Sequence, residues 1–252
     1  MLRDDREAEQ FARLWADYES RTPNNGPPLL VHPRALNGVG LLVRPGTTDP
    51  QVLDDTFVGL YHLPPTVLVP DAIILDLGGN VGYTAAHYAA LCPRGRVICV
   101  EMDAGNAALA RENLRSFGDR CTVIHAAAWS EDGELTYSGT EEWGFRIASL
   151  EGETTTRAGT STRRVRAMRI ESILHECGVE HVDFSKIDIE GAEAQVVCAS
   201  ASWLQKVQTL MVEYHPPATR ESMADALAVT GFRASDDSRH PRCLYGVRFG
   251  RA

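Results

Sequence analysis

The sequence predicts an α/β fold in which helices cover both faces of a mostly parallel sheet. From residue 72 onward, apolar runs alternate with helix-like segments, which is typical of parallel strands joined by crossover helices. The first run ends in a turn with three glycines, and an alanine-rich helical pattern follows at once (residues 74–91, ILDLGGNVGYTAAHYAAL). A length of 252 residues suits one such domain with an appendage.

Residues 1–70 are predicted to form an N-terminal cap on a main domain that spans residues 71–252. The cap opens with an amphipathic helix at residues 4–19, because large apolar residues recur there every three or four positions: Phe11, Leu14, Trp15 and Tyr18. This helix is expected to pack either on the domain or on a second subunit, and the second alternative would give a homodimer. Short strands interrupted by prolines follow in LLVHP, VGLLVRP and TVLVP.

The main domain is predicted to contain seven strands. They lie in AIILDL, RVICVE, CTVIHA, HVDFSKIDI, VQTLMVEYH, and around GFRAS and CLYGVRF. Helices are predicted at residues 82–91 and in AGNAALARENLRSFG, RIESILHECG, GAEAQVVCAS and ESMADALAVTG. An insertion at about residues 128–169 interrupts this order. Within it, Asp132-Gly133 predicts a hairpin turn and the polar, threonine-rich residues 151–163 predict a loop. This loop and helix 4–19 are candidate lids.

Charge and composition exclude several classes of protein. The formal net charge is −9, whereas nucleic-acid binding needs clustered Lys and Arg, so we expect no nucleic-acid partner. One basic cluster, Arg163, Arg164, Arg166 and Arg169, is interpreted as a solvated strand face. The six cysteines form no C-x-x-C pair, which predicts neither a zinc site nor a disulfide framework. The charged N-terminus and the lack of a long apolar run predict a cytoplasmic protein without a membrane partner.

The glycine turn indicates a nucleotide-type cofactor. Glycine allows the backbone to approach a ligand that a β-carbon would push away. The turn reads D-L-G-G-N-V-G rather than the G-x-G-x-x-G of dinucleotide-binding folds. Asp76 before it disfavours a pyrophosphate and favours a cationic ligand, and Glu101 at the end of the next strand can accept hydrogen bonds from ribose hydroxyls. The alternatives are a plain strand-to-helix connection and a nicotinamide-dependent oxidoreductase, which the absence of a Tyr-x-x-x-Lys pair also disfavours.

A second group of polar residues lies in VDFSKIDIEGAE (residues 182–193) and TLMVEYHPP. Strand alternation places Lys186, Asp188 and Glu190 on one face, and Glu213 and His215 on one face of the next strand. If these strands are neighbours, the acidic residues and His215 meet at the edge of the sheet where a cofactor should bind. The alternative is a structural cluster of ion pairs in which Lys186 neutralises Asp188 or Glu213.

The motifs DLGGNVGY, VICVEMD, KIDIEGAE and MVEYH together resemble those of the FkbM-type methyltransferases. The resemblance covers about residues 70–235. It implies a class I, Rossmann-like methyltransferase fold and S-adenosylmethionine as the cofactor. It also implies a set of cofactor-binding residues, in which Glu101 holds the ribose and Met102 lies against the adenine. That set is Asp76, Gly78, Gly79, Asn80, Gly82, Tyr83, Glu101, Met102, Ala126 and Ala127.

The expected reaction is methyl transfer to a hydroxyl of a small molecule, a sugar or a secondary metabolite. His215 is the expected general base, Asp188 and Glu190 would orient the acceptor, and Glu213 would fix the imidazole tautomer. No metal is expected. The disfavoured alternative is a divalent cation such as Mg²⁺ on Asp188, Glu190 or Glu213. N-methylation of a small molecule or peptide and a non-catalytic cofactor-binding scaffold are the alternative functions.

Overall fold

The structure is a computed structural model, and it describes residues 1–138, 146–149, 162–198 and 201–249. A π-helical turn, Asp55–Gly59, continues the second helix. In chain order the elements are α1 (Asp5–Glu19), β1 (Leu29–Val31), β2 (Leu41–Val43), α2 (Asp49–Asp54), β3 (Ile73–Leu77), α3 (Tyr83–Leu91), β4 (Arg96–Glu101), α4 (Ala104–Leu114), β5 (Cys121–His125), β6 (Ala127–Ala128), β7 (Gly133–Ser138), β8 (Arg146–Ser149), β9 (Thr162–Met168), α5 (Ile170–Glu176), β10 (Val182–Ile187), α6 (Glu193–Cys198), β11 (Val207–Glu213), α7 (Arg220–Val229), β12 (Phe232–Asp236) and β13 (Cys243–Arg248).

The central sheet has seven strands in the order β12-β13-β11-β10-β3-β4-β5. Strands β11, β10, β3, β4 and β5 run parallel, and β13 lies between β11 and β12 and pairs with both in antiparallel fashion. The chain leaves β3 for β4 and β5 on one side and returns to β10 on the other, so the strand order reverses between β3 and β10. Ligands of open α/β sheets bind at such a point, beyond the carboxyl ends of the strands. The predicted fold class is therefore confirmed.

Two apolar cores lie on opposite faces of the sheet. One joins α3 to the N-terminal residues, including Phe11 of α1, and the other packs α5, α6 and α7 around the fully buried Trp203. No helix in the described ranges is long and apolar enough to cross a bilayer.

The N-terminal residues pack on the main domain. Helix α1 begins at Asp4, whose carboxylate accepts a hydrogen bond from the Glu7 N–H (3.0 Å), and the Tyr18 hydroxyl donates to Gln51 at the other end (2.5 Å). Strands β1 and β2 form an antiparallel pair, as the first two proline-flanked segments predict. The third predicted strand, TVLVP, is wrong: Val67 is 96% exposed, and the flanking prolines lack the N–H groups that a sheet requires.

The insertion forms a second sheet, in the order β6-β9-β7-β8. The predicted hairpin turn at Asp132-Gly133 is wrong, because β6 and β7 both pair with β9 and not with each other. The Asp132 carboxylate instead accepts hydrogen bonds from the Arg169 N–H (2.8 Å) and the Ser172 hydroxyl (2.6 Å). The predicted loop 151–163 lies outside the described residues up to residue 161, and its last two residues begin β9.

The arginine cluster of the insertion is paired with acids. Arg163 contacts Asp103, Arg164 contacts Glu134 (2.7 Å), Arg166 contacts Glu176 (3.1 Å) and Arg169 contacts Glu171 (3.5 Å). The four arginine side chains are between 45% and 78% exposed, and the pairs agree with a solvated strand face.

The glycine turn after β3 is packed against the end of β10. Gly78 has a φ of +78°, and a β-carbon added there would lie 1.7 Å from the Asp188 carbonyl oxygen. A β-carbon at Gly79 would lie 2.2 Å from the Cys99 sulfur. The N–H groups of both glycines donate to the Val100 carbonyl (3.0 Å each). Glycine is therefore required here by the approach of three neighbouring strands, independently of any ligand.

We expect Gly78→Ala to lower the free energy of unfolding by about 3 kcal/mol or more, because the new methyl group overlaps a backbone carbonyl that cannot move without breaking the β10 end. The matched control is Gly133→Ala, where an added β-carbon has nothing within 4 Å. Urea denaturation of both variants measures the difference. Equal stabilities would contradict the packing described for the turn.

Candidate active site

A cavity of about 750 Å³ opens at the carboxyl ends of the parallel strands. Two groups of residues form its walls. The first follows β3, β4 and β5 and includes Gly78, Gly79, Asn80, Glu101, Met102 and Ala126. The second comes from α2 and the π-helical turn, from the β12–β13 connection, and from the ends of β10 and β11. The volume falls in the range of about 300–1,000 Å³ that is usual for small-molecule sites.

Asn80 and Glu101 form the polar part of the first wall. The Asn80 N–H donates to Glu101 Oε2 (2.9 Å), and the Asp103 N–H donates to Glu101 Oε1 (2.7 Å). Burial raises the pKa of the Glu101 carboxyl to about 7, although these two N–H groups oppose the shift. Asn80 Oδ1 is buried and has no hydrogen-bond partner among the described residues. An unpaired buried amide oxygen that lines a cavity is a ready acceptor for a ligand hydroxyl or amine.

Most of the predicted cofactor residues line this cavity: Gly78, Gly79, Asn80, Tyr83, Glu101, Met102, Ala126 and Ala127. Asp76 and Gly82 do not. Asp76 has no exposed surface and lies beneath the turn, where the Thr84 hydroxyl donates to its Oδ2 (2.6 Å). A β-carbon added at Gly82 would lie 3.2 Å from Ala110, so this glycine allows the start of α3 to pack closely on α4. The Asp76 carboxylate therefore has no exposed surface that a ligand in the cavity could contact.

Lys186 joins the glycine turn to the end of β10. Its Nζ lies 3.3 Å from the Gly78 carbonyl oxygen, 3.2 Å from Asp188 Oδ2 and 3.6 Å from Asp76 Oδ1. Burial opposes the charge on this ammonium, but Asp188 and Asp76 outweigh that effect and keep the Lys186 pKa above its ordinary value. The ammonium thus donates to the Gly78 carbonyl and to Asp188, and it forms a longer ion pair with Asp76. Lys186 therefore has the structural role that was the alternative interpretation of the sequence.

His215 lies among three carboxylates. Its Nδ1 is 2.8 Å from Glu193 Oε1, and its Nε2 is 3.5 Å from Glu213 Oε1 and 3.6 Å from Glu190 Oε2. Burial disfavours the imidazolium, but the hydrogen bonds to Glu193 and Glu213 and the charge of Glu190 raise the His215 pKa to about 10. At neutral pH the ring is charged in this environment.

Glu193 is a functional residue that the sequence interpretation missed. It is fully buried at the start of α6, and it accepts hydrogen bonds from the backbone N–H of Ile189 (3.3 Å) and Gly191 (3.1 Å) as well as contacting His215. The role of holding the imidazole at Nδ1, which the sequence assigned to Glu213, therefore belongs to Glu193. Its signal was present as the last letter of KIDIEGAE, an acid at the first position of a helix.

The turn before Glu193 carries another acid in an unusual conformation. Glu190 has a φ of +54°, which is uncommon for residues other than glycine. Strand β10 ends at Ile187, so simple strand alternation does not reach Glu190. The turn nevertheless brings the Glu190 carboxylate to His215. Asp188, Glu190, Glu213 and His215 all line the cavity, as the sequence predicts that they gather there.

Among the residues that the structure describes, two sets of side chains could hold a cation. Asp188, Glu213 and His215 offer ligand atoms within 4.8 Å of one another, and so do Glu213, His240 and Cys243. The first set contains His215 in place of Glu190, which the sequence analysis named with Asp188 and Glu213 as a possible cation ligand. A hard cation such as Mg²⁺ prefers oxygen ligands, and both sets contain a softer donor. Lys186 also already neutralises Asp188.

The sheet order, the glycine turn after the central strand and the acid that ends the next strand define the class I, Rossmann-like methyltransferase fold. Residues 76–234 match the Methyltransferase FkbM domain, and the chain belongs to that family. The crystal structure of methyltransferase FkbM from Methylobacillus flagellatus KT is similar, with a TM-score of 0.50 and 16% sequence identity over 96% of this chain and 61% of that chain.

Two curated relatives are similar in sequence. The 2-O-methyltransferase NoeI of Sinorhizobium fredii is 26% identical over 156 residues, which are 58% of this chain and 64% of NoeI. The AMB antimetabolite synthetase AmbE of Pseudomonas aeruginosa is 25% identical over 224 residues, which are 73% of this chain and 10% of AmbE. The chain therefore spans less than two thirds of either relative.

We expect Glu193→Gln to lower the pKa of His215 from about 10 by about one unit or more, because the variant removes the negative charge that contacts Nδ1. The control is Glu180→Gln, an exposed acid paired only with Lys206 in the described structure. Titration of the histidine ring protons by NMR follows the change directly. An unchanged His215 pKa in Glu193→Gln would show that other groups hold the proton.

Proposed function

We propose that the protein transfers a methyl group from S-adenosylmethionine to a hydroxyl of a small molecule, a sugar or secondary metabolite. The observation that carries this proposal is the pairing of Asn80 and Glu101 in the same cavity that His215 lines. Family membership supports methyl transfer, and the name of NoeI supports a hydroxyl acceptor. The proposed acceptor type and cofactor go beyond what family membership alone establishes.

The first wall fits the cofactor in shape and chemistry. The Glu101 carboxylate uses one lone pair of each oxygen on a backbone N–H and keeps others for two ribose hydroxyls. Asn80 Oδ1 needs a donor, and Met102, Ala126 and Ala127 offer apolar surface to a base. When bound, S-adenosylmethionine supplies a methyl group on a sulfonium that is already electrophilic.

The second wall would orient the acceptor and take its proton. Methyl transfer requires the acceptor oxygen to be held in line with the methyl–sulfur bond of the cofactor and shielded from water. Asp188 and Glu190 line the cavity, and we propose that their carboxylates accept hydrogen bonds from hydroxyl groups of the methyl acceptor. His215, which also lines the cavity, is the proposed base. Because its pKa is about 10, only about one His215 in a thousand is neutral at pH 7, and the rate should depend on that fraction.

N-methylation and a non-catalytic scaffold are the two alternative functions, and one observation bears on each. The acidic wall would also attract an amine, which favours N-methylation of a small molecule or peptide as the second candidate. A non-catalytic scaffold would need Asn80 and Glu101 but has no use for the buried His215–Glu193 contact. Mass spectrometry of methylated products separates an O-linked from an N-linked methyl group, and the absence of turnover with intact cofactor binding favours the scaffold.

Titration calorimetry should show binding of S-adenosylmethionine and no binding of NAD. We expect Glu101→Gln to weaken that binding by about tenfold or more. The glutamine amide would direct an N–H at one of the groups that now donate a hydrogen bond to the carboxylate, and two donors cannot pair. Glu134→Gln, an exposed acid on β7, is the control. Equal affinity of the Glu101 variant would remove the proposed cofactor site.

The catalytic rate should rise with pH by about tenfold per unit through the neutral range, because His215 acts only when neutral and its pKa is about 10. His215→Asn should lower kcat and flatten this profile while the affinity for S-adenosylmethionine stays nearly unchanged. Steady-state kinetics between pH 6 and pH 9 test both statements. A wild-type rate that does not vary with pH, matched by the variant, would exclude His215 as the base.

We expect full activity after exhaustive chelation, since Lys186 and the charged His215 already neutralise the carboxylates that a divalent cation would need. Activity is compared before and after treatment with EDTA and again after Mg²⁺ is restored. Loss on chelation with recovery on Mg²⁺ would instead support a cation at Asp188, Glu213 and His215.

A further inference from the structure

We propose that residues 48–62 bind the methyl acceptor and select one that is rich in hydrogen-bond donors and carries no negative charge. These residues, α2 with its N-terminal Thr48, the π-helical turn and the segment up to His62, are called the cap wall here. Five of its polar side chains line the cavity: Thr48, Gln51, Asp55, Thr56 and His62. The inference rests on the proposed function, because it names the acceptor side of the same cavity.

The first argument is the placement of unpaired polar atoms. Six buried side-chain atoms in the described residues have no hydrogen-bond partner, and three of them belong to residues that line the cavity: Asn80 Oδ1, Thr48 Oγ1 and His62 Nδ1. Asn80 lies in the cofactor wall, whereas Thr48 and His62 lie in the cap wall. Buried polar groups are normally paired. Their concentration here indicates that a second polar ligand completes the cap wall.

Thr48 Oγ1 and His62 Nδ1 both keep hydrogen-bonding capacity that the described residues do not use. Thr48 precedes α2, but its hydroxyl makes no capping hydrogen bond, which is the usual use of threonine at that position. His62 uses its Nε2 on His87 Nδ1 (3.0 Å), and burial lowers its pKa well below the ordinary value, so the ring is neutral. A neutral imidazole with one free nitrogen accepts or donates one hydrogen bond according to its tautomer.

The second argument concerns Asp55, which the structure holds in place. Gln51 Oε1 accepts a hydrogen bond from the Tyr18 hydroxyl of α1 (2.5 Å), and the Gln51 amide in turn hydrogen-bonds Asp55. No Lys, Arg or His within the described ranges forms an ion pair with Asp55 at 4 Å or less. Burial and then the charge of Asp54 raise the Asp55 pKa, and Glu213 adds to this. Asp55 is thus a hydrogen-bond acceptor that lies near the negative charges of Asp54 and Glu213.

The charges of the residues that line the cavity explain why an anionic acceptor is excluded. The acids that face the acceptor space are Asp55, Asp188, Glu190 and Glu213. Three cations near them are each shared with a further acid: Lys186 with Asp76, His215 with Glu193, and Arg239 with Asp237. A fourth, Arg242, also lines the cavity and lies 3.9 Å from Glu213 Oε1, so the acids still outnumber the cations. A carboxylate or phosphate on the acceptor would meet this excess of negative charge, whereas hydroxyl and amino groups would donate to it. A neutral sugar or an amino sugar has the required donors.

The test measures acceptor binding and cofactor binding separately. Methyl glucoside, methyl 2-amino-2-deoxyglucoside and methyl glucuronide are the probes, because they share one ring and differ in charge. Saturation-transfer NMR detects their binding to the protein saturated with S-adenosylhomocysteine, whose own affinity is measured by calorimetry. We expect the first two glycosides to bind and the glucuronide not to bind.

The decisive variants are Asp55→Asn and its neighbour Asp54→Asn, which changes the net charge equally but does not line the cavity. We expect Asp55→Asn to weaken binding of the two donor-rich glycosides by about tenfold and Asp54→Asn to leave it unchanged. Thr48→Val should weaken the same glycosides without a change in the affinity for S-adenosylhomocysteine. Melting temperatures confirm that each variant is folded.

Failure of this inference and failure of the proposed function give different results. Binding of S-adenosylhomocysteine without binding of any glycoside, equal binding of the glucuronide, or equal behaviour of the Asp55 and Asp54 variants overturns the role of the cap wall alone. Absence of S-adenosylhomocysteine binding overturns the proposed function itself.

Discussion

The ammonium of Lys186 is the interaction on which the rest of the site depends. It lies between Asp76 and Asp188, on neighbouring strands, and it donates to the carbonyl of Gly78. Without this charge, the fully buried Asp76 and the partly exposed Asp188 would repel each other, and Asp76 would have lost its hydration without compensation. The same cation thus makes the close approach of the glycine turn and the β10 end favourable. Both walls of the cavity are built outward from that contact.

The environment shifts the pKa values of two histidines in opposite directions. His215 is surrounded by Glu190, Glu193 and Glu213 and has a pKa of about 10, whereas burial beside His62 lowers the pKa of His87 to about 4. The sequence offers no means of distinguishing these rings. Only the acids that fold back onto His215 make it a cation, and they couple its proton to the turn at residues 189–191 through Glu193.

The two walls of the cavity differ in their relation to the family. The cofactor wall comes from segments within the matched residues 76–234, while the cap wall at residues 48–62 lies outside them. Helix α1 contributes to the cap wall indirectly, because Tyr18 holds Gln51 and Gln51 holds Asp55. The proposed cofactor residues therefore lie in the segment that matches the family, and the cap wall lies outside it.

The sequence by itself determined the sheet, its crossover helices and most of the cofactor wall, because strand and helix periodicity and the glycine turn are local properties that tertiary packing did not override. It failed at TVLVP and at Asp132-Gly133, where strand pairing depends on distant partners. Only the tertiary structure decided that Asp76 is buried beneath the turn, that Glu193 rather than Glu213 holds His215 Nδ1, and that the cap wall closes the cavity. Each of these depends on which side chains meet across elements far apart in the chain, and a linear pattern does not encode such contacts.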